Sequence, residues 1–406
     1  MALSVRTLLG AAALWAAASV AQAQTLTLDT ALQTAFANNP DLAAVQWDID
    51  IAQGGRQQAG LIPNPVASWD VEDTRRDSRT TSIKISQALE LGGKRGARID
   101  VATRAQDAAA LNLEQRRNTL RAEVIENYYG ALRAQERLEL AQRSMSVAER
   151  GLAVADGRVT AGKASPVEAT RAQVQLSEIR LELNRAQIGL TDAYRRLAAS
   201  TGSATADFQA VAAQTQFTPS LPTATLLLTR LEQTAELRLA ELNILQNEAS
   251  VVLEKAQRIP DLDVSIGSQY DASVRERVNL VGVSMPIPLF NRNQGNVLAA
   301  SRRADQARDL RNAAELRLRT ETRQALDLWQ SANTEVRAFN QQILPAAQSA
   351  VDSATRGFEM GKFSFLDVLD AQRTLIAART QYLTATAQAT DAWVRIERIY
   401  GDLARF

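Results

Sequence analysis

The chain has 406 residues, with 46 Lys and Arg set against 45 Asp and Glu, and it contains neither His nor Cys. Such an even balance argues against a nucleic-acid partner, which a basic surplus would attract. Without Cys or His there is no disulfide support, no Zn site of thiolate or imidazole, and no His base or Cys nucleophile. Most familiar enzyme classes are excluded on that ground.

The first 24 residues, MALSVRTLLGAAALWAAASVAQAQ, place Arg6 before an apolar stretch from Leu8 to Val20 and a small-x-small site at Ala21-Gln22-Ala23. This reads as a secretory signal peptide over 1–23, with an apolar run too short to span a bilayer. Cleavage leaves Gln24 first, not Cys, so no lipid anchor of the bacterial lipoprotein kind is expected. It also removes Arg6 and leaves the mature chain neutral. No later apolar run approaches ~20 residues, so a place in the membrane requires a β-barrel.

From residue 24 one plan is written twice. Ile62-Pro63 recurs as Ile259-Pro260, "SQALELGGKRG" pairs with "SMPIPLFNRNQG", and Gly162-Lys163-Ala164-Ser165 returns as Gly361-Lys362-Phe363-Ser364. Three landmarks in one order, with the offset drifting by one residue each time, indicate tandem duplication. The expected repeats are 24–199 and 223–400. A turn-rich linker at 200–222 separates them, and a short tail follows at 401–406. Each repeat reads as an Ala-rich helix (29–58, 223–258), a strand pair (63–91, 260–289), a long helix (96–160, 296–357) and a last helix (165–199, 364–400). The two shorter helices stacked end to end match the long one in length, so each repeat predicts a uniform two-stranded helical wall with coiled-coil packing.

The strands carry the functional argument. Ile83, Ile85, Leu89 and Leu91 alternate with Ser82, Lys84, Ser86 and Glu90; Val264 and Ile266 alternate with Asp263, Ser265 and Gly267. Segments of this length with one apolar face fit transmembrane barrel strands, the fourth (279–287) least cleanly. Four strands cannot close a barrel, and lipid does not tolerate an open edge. Three copies give twelve strands and a water-filled interior, whereas two give eight and a filled one. The fold class is therefore mainly α with a small β-barrel shared by three chains.

Gly157, Gly162 and Lys163 also approximate a phosphate-binding loop, but Ala164 stands where the hydroxyl belongs and the preceding residues are helical, not a strand. The pattern suits a helical hairpin better. Gly162 and Gly361 sit where a helix end wants a left-handed residue. Ser165-Pro166-Val167-Glu168 and Ser364-Phe365-Leu366-Asp367 follow as capping boxes.

These features together ("LELGGKR", "PIPLFNRNQG" and "GKFSFLDVLDAQRTL" beside a signal peptide and doubled helix–strand–strand–helix repeats) resemble the TolC-type outer-membrane factors. "LELGGKR" is similar to the cobalt-zinc-cadmium (CzcC-like) branch. The resemblance implies a homotrimer seated in outer-membrane lipid of a Gram-negative cell, with a twelve-stranded barrel and a long periplasmic tunnel. It implies a passive duct with no cofactor, joined through a periplasmic adaptor to an inner-membrane pump, of RND type for metal cargo. Drug efflux and type I secretion ducts of the same family are the alternatives, and a soluble periplasmic scaffold is a more distant one.

The resemblance also directs attention to the hairpin tips. Acidic residues after the second tip form the family's entrance ring, matched here by Asp367 and Asp370, three apart on one helix face. Glu168 is the first-repeat equivalent of Asp367, while Arg171 stands in place of Asp370. Where family members hold the entrance closed with Tyr and Arg, this chain has Phe358 and Phe363, an apolar constriction in their stead. The tip turns, with Gly162, Lys163, Ser165, Gly361, Lys362 and Ser364, are the expected adaptor-docking points. Without His or Cys, and with Met confined to Met145, Met285 and Met360 in the mature chain, no tight metal site is expected.

Overall fold

The computed structural model describes residues 25–212 and 221–403. The expected signal peptide at 1–23 lies outside the described residues, as do 213–220 of the linker. In chain order the elements are β1 (Thr25–Leu26), α1 (Leu28–Asn38), α2 (Pro40–Ala59), β2 (Val66–Glu72), β3 (Thr80–Leu89), α3 (Lys94–Thr160), α4 (Pro166–Ser200) and β4 (Ala210–Val211). There follow α5 (Ala224–Thr229), a 3₁₀ turn (Leu231–Gln233), α6 (Ala235–Ala256), β5 (Leu262–Asp271) and β6 (Glu276–Ser284). The chain ends with α7 (Gln294–Ala338), a π-turn (Phe339–Ile343), α8 (Leu344–Glu359) and α9 (Phe365–Tyr400).

Three expected helices are interrupted, each for a local reason. The helix over 29–58 breaks at Asn39, whose extended backbone (ψ 119°) suits the residue before Pro40 and whose Oδ1 caps α2 by accepting from Leu42 N at 3.1 Å. In the second repeat, Thr234 caps α6 after the 3₁₀ turn, with its hydroxyl accepting from Leu237 N at 3.5 Å. The helix over 296–357 widens into the π-turn just before Pro345. That proline lacks an N–H, and its ring crowds the carbonyl one turn back.

α3 is the strut of the first repeat. Its 67 residues extend ~100 Å at ~1.5 Å per residue. It packs against both α2 and α4, which abut each other end to end along it. At their joint Asn39 Nδ2 donates to Ser200 O at 3.2 Å. Gly202 (φ +85°) approaches so closely that a Cβ there would lie 2.5 Å from Asn38 O. Buried Ala141, Ala148 and Ala155 recur every seventh residue on α3 and meet Ala172, Ile179 and Ala186 at the same spacing on α4. Small residues in heptads let two helices run close over a long distance.

The largest core lies midway along this axis. Leu28, Leu32 and Leu42 meet Tyr128 and Tyr129 of α3, Leu197 of α4, Leu227 of α5 and Trp393 of α9. A parallel pair, β1 with β4, lies across it. It is clamped by Tyr128 Oη donating to Ala212 O (2.7 Å) and by Gln135 Oε1 accepting from Val211 N (2.6 Å). Part of the expected linker is therefore a strand. Beside this core a charged group is buried: Glu397, 2% exposed, accepts from Arg121 Nε (2.8 Å) and Trp393 Nε1 (3.2 Å). Arg121 also donates to Asp402 at 2.8 Å.

At one end of the helices stands one antiparallel sheet, in the order β2-β3-β5-β6. Its register pairs Trp69 with Ile83, Ile85 with Ile266, and Ile266 with Val281. Directly paired residues share a face, so one face is a band of exposed Trp69, Ile83, Ile85, Ile266, Val281 and Val283. The opposite face carries Ser68, Asp70, Ser82, Lys84, Ser265 and Gln269. Val278 and Leu280 fall on this polar face, which is why the fourth strand alternates poorly. The outer edges, β2 and β6, have no strand partner among the described residues.

"LGGKR" is the corner from sheet to strut. Gly92 (φ +74°) lies so close to Ile259 that a Cβ would come within 2.8 Å of its Cβ. Gly93, also left-handed, starts α3. Lys94 Nζ pairs with Asp261 (2.6 Å), and Arg98 forms a fork with Glu90.

Candidate functional site

Both hairpin tips are built by the same backbone chemistry, at the end of the helices far from the sheet. Gly162 (φ +66°) and Gly361 (φ +71°) are left-handed. Lys163 N donates to Arg158 O and Lys362 N to Gly357 O, each at 2.8 Å, while Gly162 N and Gly361 N bond Val159 O and Phe358 O. This doubled bond pattern is the Schellman ending of a helix. Lys163 and Lys362 are exposed at the turns, with Ser165 and Ser364 starting the next helices.

The starts of those helices differ. Asp367 closes its box: a carboxylate oxygen accepts from Ser364 N (2.8 Å) and Ser364 Oγ (2.7 Å). Those hydrogen bonds hold the Asp367 carboxyl below the usual carboxylate range. In the first repeat Ser165 Oγ accepts from Val167 N at 3.3 Å, and Pro166 takes the first helical position. The reciprocal half of the expected box is absent, because Glu168 turns instead toward Arg158 Nε, 3.7 Å away. Arg158 also lies over the ring of Phe358, 5.0 Å from its centroid. Glu168 is thus only partly exposed, whereas Asp367, Asp370 and Arg171 are exposed.

The two phenylalanines separate as well. Phe358 is 3% exposed and packs on Phe365 with ring centroids 5.5 Å apart, inside a cluster with Ala155, Ala172, Val368 and Leu369. It joins the two hairpins to each other, and its ring is not on the surface of the protomer. Phe363, 48% exposed, lies across Gly357, where a Cβ would come within 2.2 Å of its ring. Arg158 was not among the residues singled out from sequence; its signal was a cation four residues before a left-handed Gly. Exposed Val167 and Leu366, equivalent in the two copies, give the tips apolar points beside the lysines. Among the described residues no cluster of acidic side chains has the arrangement of a metal site, and no helix is long and apolar enough to cross a membrane.

Sheet, strut and paired tips coincide with a known architecture. The family model described as outer membrane efflux protein matches residues 31–203 and 226–402. The chain belongs to that family. This efflux protein is 39% identical over 376 residues to the cobalt-zinc-cadmium resistance protein CzcC of Cupriavidus metallidurans, covering 93% of this chain and 90% of that one. It is 28% identical to the nickel-cobalt-cadmium resistance protein NccC of Alcaligenes xylosoxydans, with 73% and 69% covered. Among solved structures, the outer-membrane channel OprN superposes with a TM-score of 0.78 at 20% identity, over 92% of this chain and 89% of OprN. VceC of Vibrio cholerae gives 0.76 at 18%, over 92% and 97%. The protein is an outer-membrane efflux component of a Gram-negative cell, reaching into the periplasm. Its family and relatives are channels, not enzymes.

Proposed function

We propose that three copies of this chain form the exit duct of a tripartite system that exports divalent heavy-metal cations. The supporting observation is the four-stranded sheet with an apolar band and two unpaired edges, set on a chain 39% identical to a cobalt-zinc-cadmium resistance protein. In lipid an unpaired edge is not tolerated, and three such sheets end to end leave none. The twelve long helices then enclose the periplasmic tunnel, and the tips receive cargo from an inner-membrane pump of RND type through an adaptor docked on Gly162 to Ser165 and Gly361 to Ser364. Each proposed repeat, 24–199 or 223–400, supplies one of the two hairpin tips.

At the mouth, Asp367 and Asp370 of three copies bring six carboxylates around one axis, a field that concentrates cations. Glu168 contributes through its pairing with Arg158 inside the first hairpin, Arg158 links to the second hairpin by lying over Phe358, and half-exposed Phe363 is the aromatic side chain placed to narrow the opening. Export needs no tight site in the duct, so selectivity among metals belongs to the pump. Deletion of the gene tests the cargo: growth falls on Zn²⁺, Co²⁺ or Cd²⁺ and is unchanged on organic drugs. The reverse pattern transfers the cargo to organic solutes. The acidic ring is tested in planar bilayers, where the paired Asp367→Ala, Asp370→Ala variant loses cation preference while assembling normally; unchanged cation response rejects the ring.

A further inference from the structure

The segment that leaves β6 is exposed at every residue from 285 to 290. Met285-Pro286-Ile287-Pro288-Leu289-Phe290 has no polar side chain, and Phe290 is 91% exposed, with Met285, Ile287 and Leu289 exposed beside it. On the other edge of the sheet, the segment entering β2 exposes Leu61 and Ile62. That entry is held firmly: Gln87 Nε2 donates to Pro63 O (2.9 Å), Arg98 to Leu61 O (3.2 Å) and Arg95 to Gly60 O (2.6 Å). The far end of the β6 exit is held too, by Asn293 Nδ2 donating to Glu254 O at 2.8 Å. Both segments therefore leave the sheet at its helical end in fixed positions, each bearing bare apolar side chains.

Within one chain they cannot meet. β2 and β6 are the opposite edges of the sheet, with β3 and β5 between them, roughly 14 Å apart at ~4.8 Å per strand. When the β6 edge of one copy pairs with the β2 edge of the next, the two segments emerge side by side. We propose that Met285–Phe290 of each copy is an apolar clasp that packs on Leu61 and Ile62 of its neighbour, at the ring where barrel meets tunnel. This rests on the reading of three copies sharing one barrel. A lipid contact fits the segment less well, because side chains at the bilayer boundary are typically Trp and Tyr, with a polar tip for the headgroups. Two prolines also restrict the segment beforehand, so little freedom is lost when it docks.

The absence of Cys from the whole chain makes engineered cross-linking clean. The full-length protein in its native membrane carries one cysteine in each segment, Ile62→Cys with Ile287→Cys or Leu61→Cys with Leu289→Cys. A second set, Trp69→Cys or Ala67→Cys with Val281→Cys or Val283→Cys, reports pairing of the strand edges themselves. Mild oxidation followed by a non-reducing denaturing gel yields dimer and trimer ladders from both sets, and none from single-cysteine forms. Ladders from the edge set alone overturn the clasp and leave the shared barrel standing; no ladders from either set overturn both. As a second readout, Phe290→Trp gains no fluorescence quenched by brominated lipid, relative to the parent protein. Strong quenching assigns the segment to lipid and refutes the clasp.

Discussion

Replacing Arg121 with Met isolates the buried carboxylate beside the central core. Methionine keeps most of the stem's volume and removes both the ion pair to Glu397 and the bond to Asp402, each 2.8 Å in the native chain. Glu397, 2% exposed, is left with Trp393 Nε1 at 3.2 Å and the Leu403 backbone. Removing one partner of a buried pair costs about 3–5 kcal/mol. Arg121 is itself one-fifth exposed, so the lower figure, about 3 kcal/mol, is expected. A chain of this length has an unfolding entropy of roughly 0.8 kcal/mol/K, which converts that loss to a fall of about 4 °C in Tm.

The assay is far-UV circular dichroism of the purified protein in detergent during heating. The pH dependence gives a second handle. Burial pushes the Glu397 carboxyl above the usual range, and Arg121 pulls it back, so without Arg121 it rises further. A raised carboxyl favours the folded state most when protonated, below its unfolded pKa, and that advantage fades as pH climbs through the folded value. The Arg121→Met deficit is therefore smallest in acid and grows toward neutral pH. Adding Glu397→Leu removes the orphaned charge and restores most of the stability. A Tm within about 1 °C of the parent, or a deficit that grows on acidification, refutes the reasoning.

Gly92→Ala strains a left-handed backbone and drives a Cβ into Ile259 and Ala256 O, a loss of about 1–3 kcal/mol visible as less assembled protein in the membrane fraction. Gly93→Ala has the same positive φ but open space around it, so it falls at the mild end, about 1 kcal/mol. Gly357→Ala collides with the Phe363 ring, and adding Phe363→Ala recovers the lost melting temperature in a double-mutant cycle. At the second tip, the Ser364 bonds lower the Asp367 pKa, so their support is complete at neutral pH and is lost as pH falls through that lowered value. Hydrogen-exchange protection of the amides of 364–367, taken relative to their intrinsic rates, falls there in acid, and Asp367→Asn abolishes the pH step.

Much of this was legible because the deciding patterns are local. Alternation marked Ile83, Ile85 and Ile266 as one face, and the register pairs them across strands. Gly162 and Gly361 declared their helix ends through the one residue type that accepts a positive φ freely. The breaks at Pro40 and Pro345 were also written locally, yet long helical periodicity on either side masked them. Other features depend on contacts between distant residues. The β1–β4 pair joins residues 25–26 to 210–211 through two-residue strands, too short to register as a pattern. Glu168 and Asp367 look equivalent in sequence, but only the former has an Arg158 within reach, so their side chains part company. Phe358 likewise belongs to the interior because Phe365 of the following helix covers it.

The outer turns of the sheet have a consequence for the cell's permeability barrier. Residues 73–79 are tied down by Asp73 accepting from Arg75 and Ser78, and 272–275 by Asp271 accepting from Ser273. Loops this short and this tightly braced cannot fold across the mouth of a wide barrel. In the proposed three-copy barrel these short turns border the outer mouth, and the hairpin tips, some 100 Å away at ~1.5 Å per residue, are the proposed place where leakage is limited. On that reading, weakening the tips opens the outer membrane itself, and sensitivity to bulky external antibiotics is the expected outcome.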